Sequence, residues 1–137
     1  MENSSIEKGE YQNTKREAKE HYFKIGRAWC PVLNDYVAFN AVGFRHLVRK
    51  RGVLRSTDEQ LRRFSLIPLA KEILENSNIT IFHKKQESSR FLGNHKKNSV
   101  DMRQANFWTL SEKRGNKVIT VIVRQFNGGA KHFFSVY

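Results

Sequence analysis

The chain changes its hydrophobic rhythm near residue 78. Before that point apolar residues recur at helical spacing, and after it they alternate or run together as in strands. In Phe44-Arg45-His46-Leu47-Val48-Arg49-Lys50, a helix at about 100° per residue puts Phe44, Leu47 and Val48 on one face. Arg45, His46, Arg49 and Lys50 then share the opposite face. Asn40 is placed to cap this helix and Gly52 to end it. Ser56-Thr57-Asp58-Glu59 is a capping box, which predicts a second helix with Leu61 and Phe64 inward. Pro68 predicts a kink or a restart, because the residue before a proline disfavours the helical conformation. Residues 69–74 then supply Ala70, Ile73 and Leu74 to the core.

Beyond Asn76-Ser77-Asn78, residues 79–84 alternate and are β-branched, which predicts a strand. Residues 86–101 are polar, contain Gly93 and Asn94, and predict a long loop. Residues 107–112 and 117–126 predict a hairpin about Arg114-Gly115-Asn116. The run 118–123 is apolar except for Thr120, as expected of a central strand covered on both faces. Asn127-Gly128-Gly129 turns into a last strand over residues 131–137. Upstream, residues 1–14 are polar and read as a flexible N-terminal arm. The charged stretch 15–21 predicts a helix, and 22–29, where Phe23 and Ile25 alternate, a strand or extended lead-in. Residues 15–137 form a single domain. Helices first and an antiparallel meander second is an α+β pattern.

Charge then narrows the class of partner. The 137 residues carry 25 Lys+Arg against 13 Asp+Glu, a net charge of +12. Such an excess points to nucleic acid first and an anionic membrane surface second. Cys30 is the single cysteine, so no internal disulfide forms, and no Cys/His cluster has zinc-ligand spacing. No apolar run reaches membrane-spanning length and no signal peptide opens the chain, so a cytoplasmic site of action is expected. Walker-type loops, dinucleotide fingerprints and HExxH are absent from the sequence. Carboxylates are scarce and scattered, as with Asp35, Asp58 and Asp101, which disfavours a two-metal nuclease. No metal and no cofactor are expected.

Metal-free phosphodiester cleavage needs an internal nucleophile, which RNA supplies in its 2′-hydroxyl. A base removes that proton, an acid protonates the leaving 5′-oxygen, and cations stabilise the charge on phosphorus. His46 is the member of the basic segment that can move a proton near pH 7. A solvated basic face with a bystander histidine explains the same segment. Under period-two alternation Lys131, Phe133, Ser135 and Tyr137 share one face of the last strand, and His132, Phe134 and Val136 the other. Lys131 and Ser135 are then expected in one cleft, although lysine is also a common edge residue. Arg124, just past the apolar run, sits at the rim or is paired inside, with a planar fork suited to phosphate. His95 with Lys96 and Lys97 reads as a phosphate contact in the basic loop. His83 reads as a solvated strand end, and His132 as a packed residue beside Phe134.

In this order, the segments FRHLVRK (44–50), LRRFSLIPLAKEIL (61–74), ITIFHK (79–84), FWTL (107–110), KVITVIVRQF (117–126) and KHFFSVY (131–137) resemble the phage-associated nucleases of the barnase–EndoU–colicin–RelE superfamily. The resemblance covers roughly residues 36–137. It implies N-terminal helices packed on a four-stranded antiparallel sheet. It also implies a toxin or toxin-like effector that cleaves RNA without metal, leaving a 2′,3′-cyclic phosphate and a 5′-hydroxyl. Colicin-type members make tRNA the expected RNA and an acidic inhibitor or immunity protein the expected partner. Carried over, the catalytic set is His46 on the basic helix, Arg49 or Arg45 beside it, and Arg124 and Ser135 from the strands. Lys131 joins from the alternation argument, and Arg45, Lys50, Lys131, His95, Lys96 and Lys97 form the RNA-binding set. No second histidine is clearly placed as the complementary acid. A non-catalytic basic RNA- or DNA-binding module is the alternative, and a partner-binding piece with a basic face is a third reading.

Overall fold

A computed structural model describes residues 2–90 and 101–137. Helix α1, Glu2–Ile25, leads into a hairpin of β1, Arg27–Cys30, and β2, Asp35–Ala38, joined by a short 3-10 turn. Helix α2, Ala41–Val48, is followed by a small hairpin of β3, Arg49–Lys50, and β4, Val53–Leu54. Helices α3, Thr57–Ser65, and α4, Ile67–Glu75, precede the long strands β5, Thr80–Arg90, β6, Asp101–Arg114, and β7, Lys117–Phe126. Strand β8, His132–Val136, closes the fold. Among the described residues, no helix is long and apolar enough to cross a membrane.

The α+β class holds, but the sheet is larger than expected and mixed. Its order is β1-β2-β8-β7-β6-β5, six strands in place of a four-stranded antiparallel meander. All its neighbours are antiparallel except β2 and β8, which pair in parallel through Ala38 and His132. The two added strands are short and present Ala28, Cys30 and Val37 to the core, too little apolar surface to stand out in a sequence. Leu110, Val121 and Val136 lie side by side on the helix-covered face, with Phe133 and Val123 one row along.

Several local expectations change. Residues 2–14 are the first half of α1 instead of an arm, and the helix continues through residues 22–25. Tyr11, Ala18, Tyr22 and Ile25 touch the core at helical spacing, so α1 is anchored along one stripe. α2 ends at Val48 instead of near Gly52, because Arg51 and Gly52, both at positive φ, form the turn of the β3–β4 hairpin. Strands β5 and β6 extend to Arg90 and from Asp101, into the stretch read as a loop. At Pro68 the restart is observed: α3 closes at Ser65 and α4 opens with the proline in its first turn.

The last strand departs furthest from simple alternation. Ile122 pairs with Ser135 and Val123 with Phe133, leaving Phe134 as an extra residue in a bulge. The bulge resets the alternation, so Phe133 and Val136 both enter the core while Ser135 shares the side of Ile122.

Candidate active site

The site forms where α2 and α3 meet the free edge of β8. Beyond His132 that edge has no strand partner, and α2 takes the place of one. Close approach is possible because residue 43 is glycine: a Cβ there would lie 2.4 Å from the Phe133 carbonyl oxygen and 2.3 Å from the Tyr22 hydroxyl. Asn40 caps α2 by accepting from the Gly43 amide, and the Tyr22 hydroxyl donates to the Asn40 carbonyl. Phe44, Leu47 and Val48 are buried, as their helical spacing requires. This seating swings His46 onto the bulged Phe134, ring centroids 4.2 Å apart, instead of leaving it on a solvated face.

Arginines from three elements converge on this point. Arg55, just after β4, donates from Nε to the His46 carbonyl at 3.0 Å. Arg55 is held in turn by buried Gln60, whose Nε2 donates to the Arg55 carbonyl and whose Oε1 accepts from the Tyr11 hydroxyl. Arg63 on α3 donates to Ser135 Oγ at 2.9 Å and to the Val136 carbonyl at 3.2 Å, satisfying the free edge of β8. Glu59, four residues earlier, pairs with Arg63 Nε at 2.9 Å. Arg124 on β7 is 5% exposed, lies 4.3 Å from the Phe134 ring centroid, and donates to Ser88 Oγ at 3.1 Å.

Two histidines occupy this region in different ways. His132 Nε2 accepts from Arg124 Nε at 3.0 Å, and the backbone at Ala130 interacts favourably with its ring. Because Nε2 accepts from a guanidinium, His132 is a neutral strut for Arg124. His46 Nδ1 is buried and has no hydrogen-bond partner. Burial, reinforced by Arg55, Arg63, Arg124 and Lys50, pulls His46 down to about 4. Burial and Arg124 bring His132 to about 4 as well, and burial lowers Arg124 to about 10. At neutral pH both imidazoles are therefore uncharged, and the buried Nδ1 of His46 is unpartnered inside a cationic shell.

The other expected site residues are dispersed. Arg49 and Lys50 stand on β3, outside the helix, and are exposed; Arg49 Nη1 donates to the Gly52 carbonyl, which ties it to the hairpin turn. Arg45 remains on the exposed side of α2. Ser135 is buried, with Arg63 as its partner, and is separated from Lys131. Lys131 precedes β8, pairs with Asp35 Oδ2 at 2.9 Å, and lies over the Trp108 ring, so the shared Lys131–Ser135 cleft is not formed. His83 is stacked on Trp108 and bonded to Asn106 Oδ1, not merely solvated. His132 is packed as expected, buried and stacked on Phe126, with Arg124 bonded to it and lying over Phe134. His95, Lys96 and Lys97 lie outside the described residues.

Sequence reasoning missed Arg55, Arg63 and Ser88. Arg63 carried a signal, since it lies four residues after the capping-box Glu59 and one turn before Ile67. Arg55 and Ser88 carried none, because their roles depend on contacts from distant elements. Beside the cluster, and sharing Arg55 with it, an open cleft of about 580 Å³ is lined by Lys50, Arg51, Val53, Leu54, Arg55, Ser56 and Glu59. Among the described residues, no three His, Cys, Asp or Glu side chains are grouped to hold a metal ion. Comparison with protein-family models, with curated proteins and with solved structures finds no match.

Proposed function

We propose that the chain is an endoribonuclease that cleaves RNA without metal, with His46 as the proton acceptor and arginines as the charge-stabilising groups. The observation that carries this reading is the unpartnered, buried Nδ1 of His46 within a shell of Arg55, Arg63 and Arg124. Buried polar atoms are nearly always paired, so the exception calls for an explanation, and the surrounding cations suit an anionic ligand beside His46. A phosphodiester brings one negative charge, which offsets the cations that depress His46 and raises its basicity when substrate is bound.

In the proposed reaction the 2′-oxygen attacks phosphorus as the His46 imidazole takes its proton. The P–O5′ bond breaks, the imidazolium returns the proton to the leaving 5′-oxygen, and a 2′,3′-cyclic phosphate and a 5′-hydroxyl result. Arg55, Arg63 and Arg124 neutralise charge on the non-bridging oxygens, a role suited to the planar guanidinium. His132 positions Arg124. The resemblance to the barnase–EndoU–colicin–RelE superfamily supports the same reading. It makes a toxin-like effector acting on tRNA, with an acidic inhibitor, the specific form proposed here. The net charge of +12 suits both an RNA substrate and an acidic inhibitor.

Incubation of the protein with total tRNA in excess chelator should give discrete fragments ending in 2′,3′-cyclic phosphate. Intact tRNA at every pH from 5 to 8 would leave the non-catalytic nucleic-acid-binding module as the better reading.

A further inference from the structure

A second feature lies on the same sheet face, away from His46. On the β1–β2 hairpin, Ala28, Cys30 and Val37 turn into the core, so Arg27, Trp29 and Tyr36 turn to the opposite side. Trp29 and Tyr36 are cross-strand partners, each 43% exposed, with ring centroids 5.1 Å apart and planes at 71°. Arg27 lays its guanidinium over the Tyr36 ring at 3.9 Å. The two rings make a corner open to water, with a cation against one wall.

This corner is continuous with the candidate active site. Ala38, two residues beyond Tyr36 on β2, pairs with His132, the partner of Arg124. Two residues along a strand and one strand across put Tyr36 roughly 8 Å from His132, and Phe134, on which His46 stacks, is two residues further along the parallel β8, roughly 14 Å from Tyr36. An extended single strand covers the longer distance in a few nucleotides. Ring faces, a flanking guanidinium and a strongly basic chain are the combination that binds unpaired bases and their phosphates.

We propose that Trp29 and Tyr36, with Arg27, form a base-stacking platform that holds an unpaired nucleotide a few positions from the bond cut at His46. The platform rests on the nucleic-acid reading of that site and deepens it, for it selects single-stranded substrate. A duplex keeps its bases stacked on each other and offers the platform none.

The test uses a single-stranded 2′-deoxy oligonucleotide, which lacks the attacking hydroxyl and so reports binding alone. Tryptophan emission of the full chain should be quenched on titration, and the quench should be lost in Trp29→Phe with Trp108 still present. The Trp29→Ala/Tyr36→Ala variant, shown folded by circular dichroism, should bind roughly 5- to 150-fold more weakly. A blunt duplex of equal length should produce no quench. Affinity of the double variant within twofold of wild type, unchanged Trp29 emission on binding, or no binding of the oligonucleotide would each overturn the platform. The two proposals separate cleanly. RNA cleavage that is indifferent to Trp29 and Tyr36 removes the platform and leaves the active site. Oligonucleotide binding at Trp29 by a protein that cuts no RNA does the reverse.

Discussion

The pair Arg124–His132 and the α2–β8 junction around His46 each hold a histidine brought to about 4, mainly by burial, His132 buried and His46 half-buried. The shift alone does not tell them apart. Their hydrogen bonds do: His132 Nε2 is paired with Arg124, whereas His46 leaves Nδ1 without a partner. A satisfied buried histidine stabilises the fold. An unsatisfied one costs stability and is expected where binding supplies the missing partner.

The largest expected effect is on catalysis. His46→Ala should lower RNA cleavage by about 10²–10⁴-fold, the usual reach of a positioned acid–base group. Its melting temperature should stay close to wild type, since the change also deletes an unsatisfied buried atom. His132→Ala should show the opposite balance in thermal unfolding. It leaves Arg124 Nε without an acceptor in a buried setting and should cost about 2–3 kcal/mol. If both variants lose stability equally, the contrast between the two histidines is broken.

Through stability, acid should reveal the shift the two histidines share. Both folded histidines titrate at about 4, below their ordinary value of 6.5, so between those values the unfolded chain binds more protons. Stability is then fully present above pH 6.5 and falls as pH drops toward 4. His132, 7% exposed, should account for on the order of 3 kcal/mol of that loss. Urea unfolding at pH 7 and pH 4.5 reads this directly, and in His132→Ala the pH dependence should shrink. A smaller effect is expected of Arg63→Ala, which frees Ser135 Oγ and the Val136 carbonyl, at about 1–2 kcal/mol by the same unfolding assay. Smallest is Arg49→Ala, on an exposed hairpin turn, with stability expected to change by less than about 0.5 kcal/mol and cleavage by less than twofold.

How much of this was legible in the sequence depended on the range of the interaction. The Ser56 capping box, the Pro68 restart and the buried face of α2 are local and could be read directly. The stripe Tyr11, Ala18, Tyr22 and Ile25 was also present, but the polar composition around it masked α1. His46 and Arg124 were recognisable as chemical types, yet their setting was not. The bulge at Phe134 breaks the alternation used to place Ser135 and Lys131, and no turn residue marks it. The helix that was to carry Arg49 and Lys50 stops at Val48 because the Arg51–Gly52 turn folds the chain back into β3–β4. Arg55 and Arg63 reach the site only through tertiary contacts with His46 and β8.

The most direct measurement is the titration of the two histidine rings by NMR, free and with a single-stranded 2′-deoxy oligonucleotide bound. In the free protein both should titrate near 4. With ligand bound, His46 should move up toward the ordinary histidine value as a phosphate enters the arginine shell, while His132, already paired, should hardly move. A His46 that stays near 4 with the oligonucleotide bound, or that rises in step with His132, would contradict its role as the group awaiting the phosphodiester.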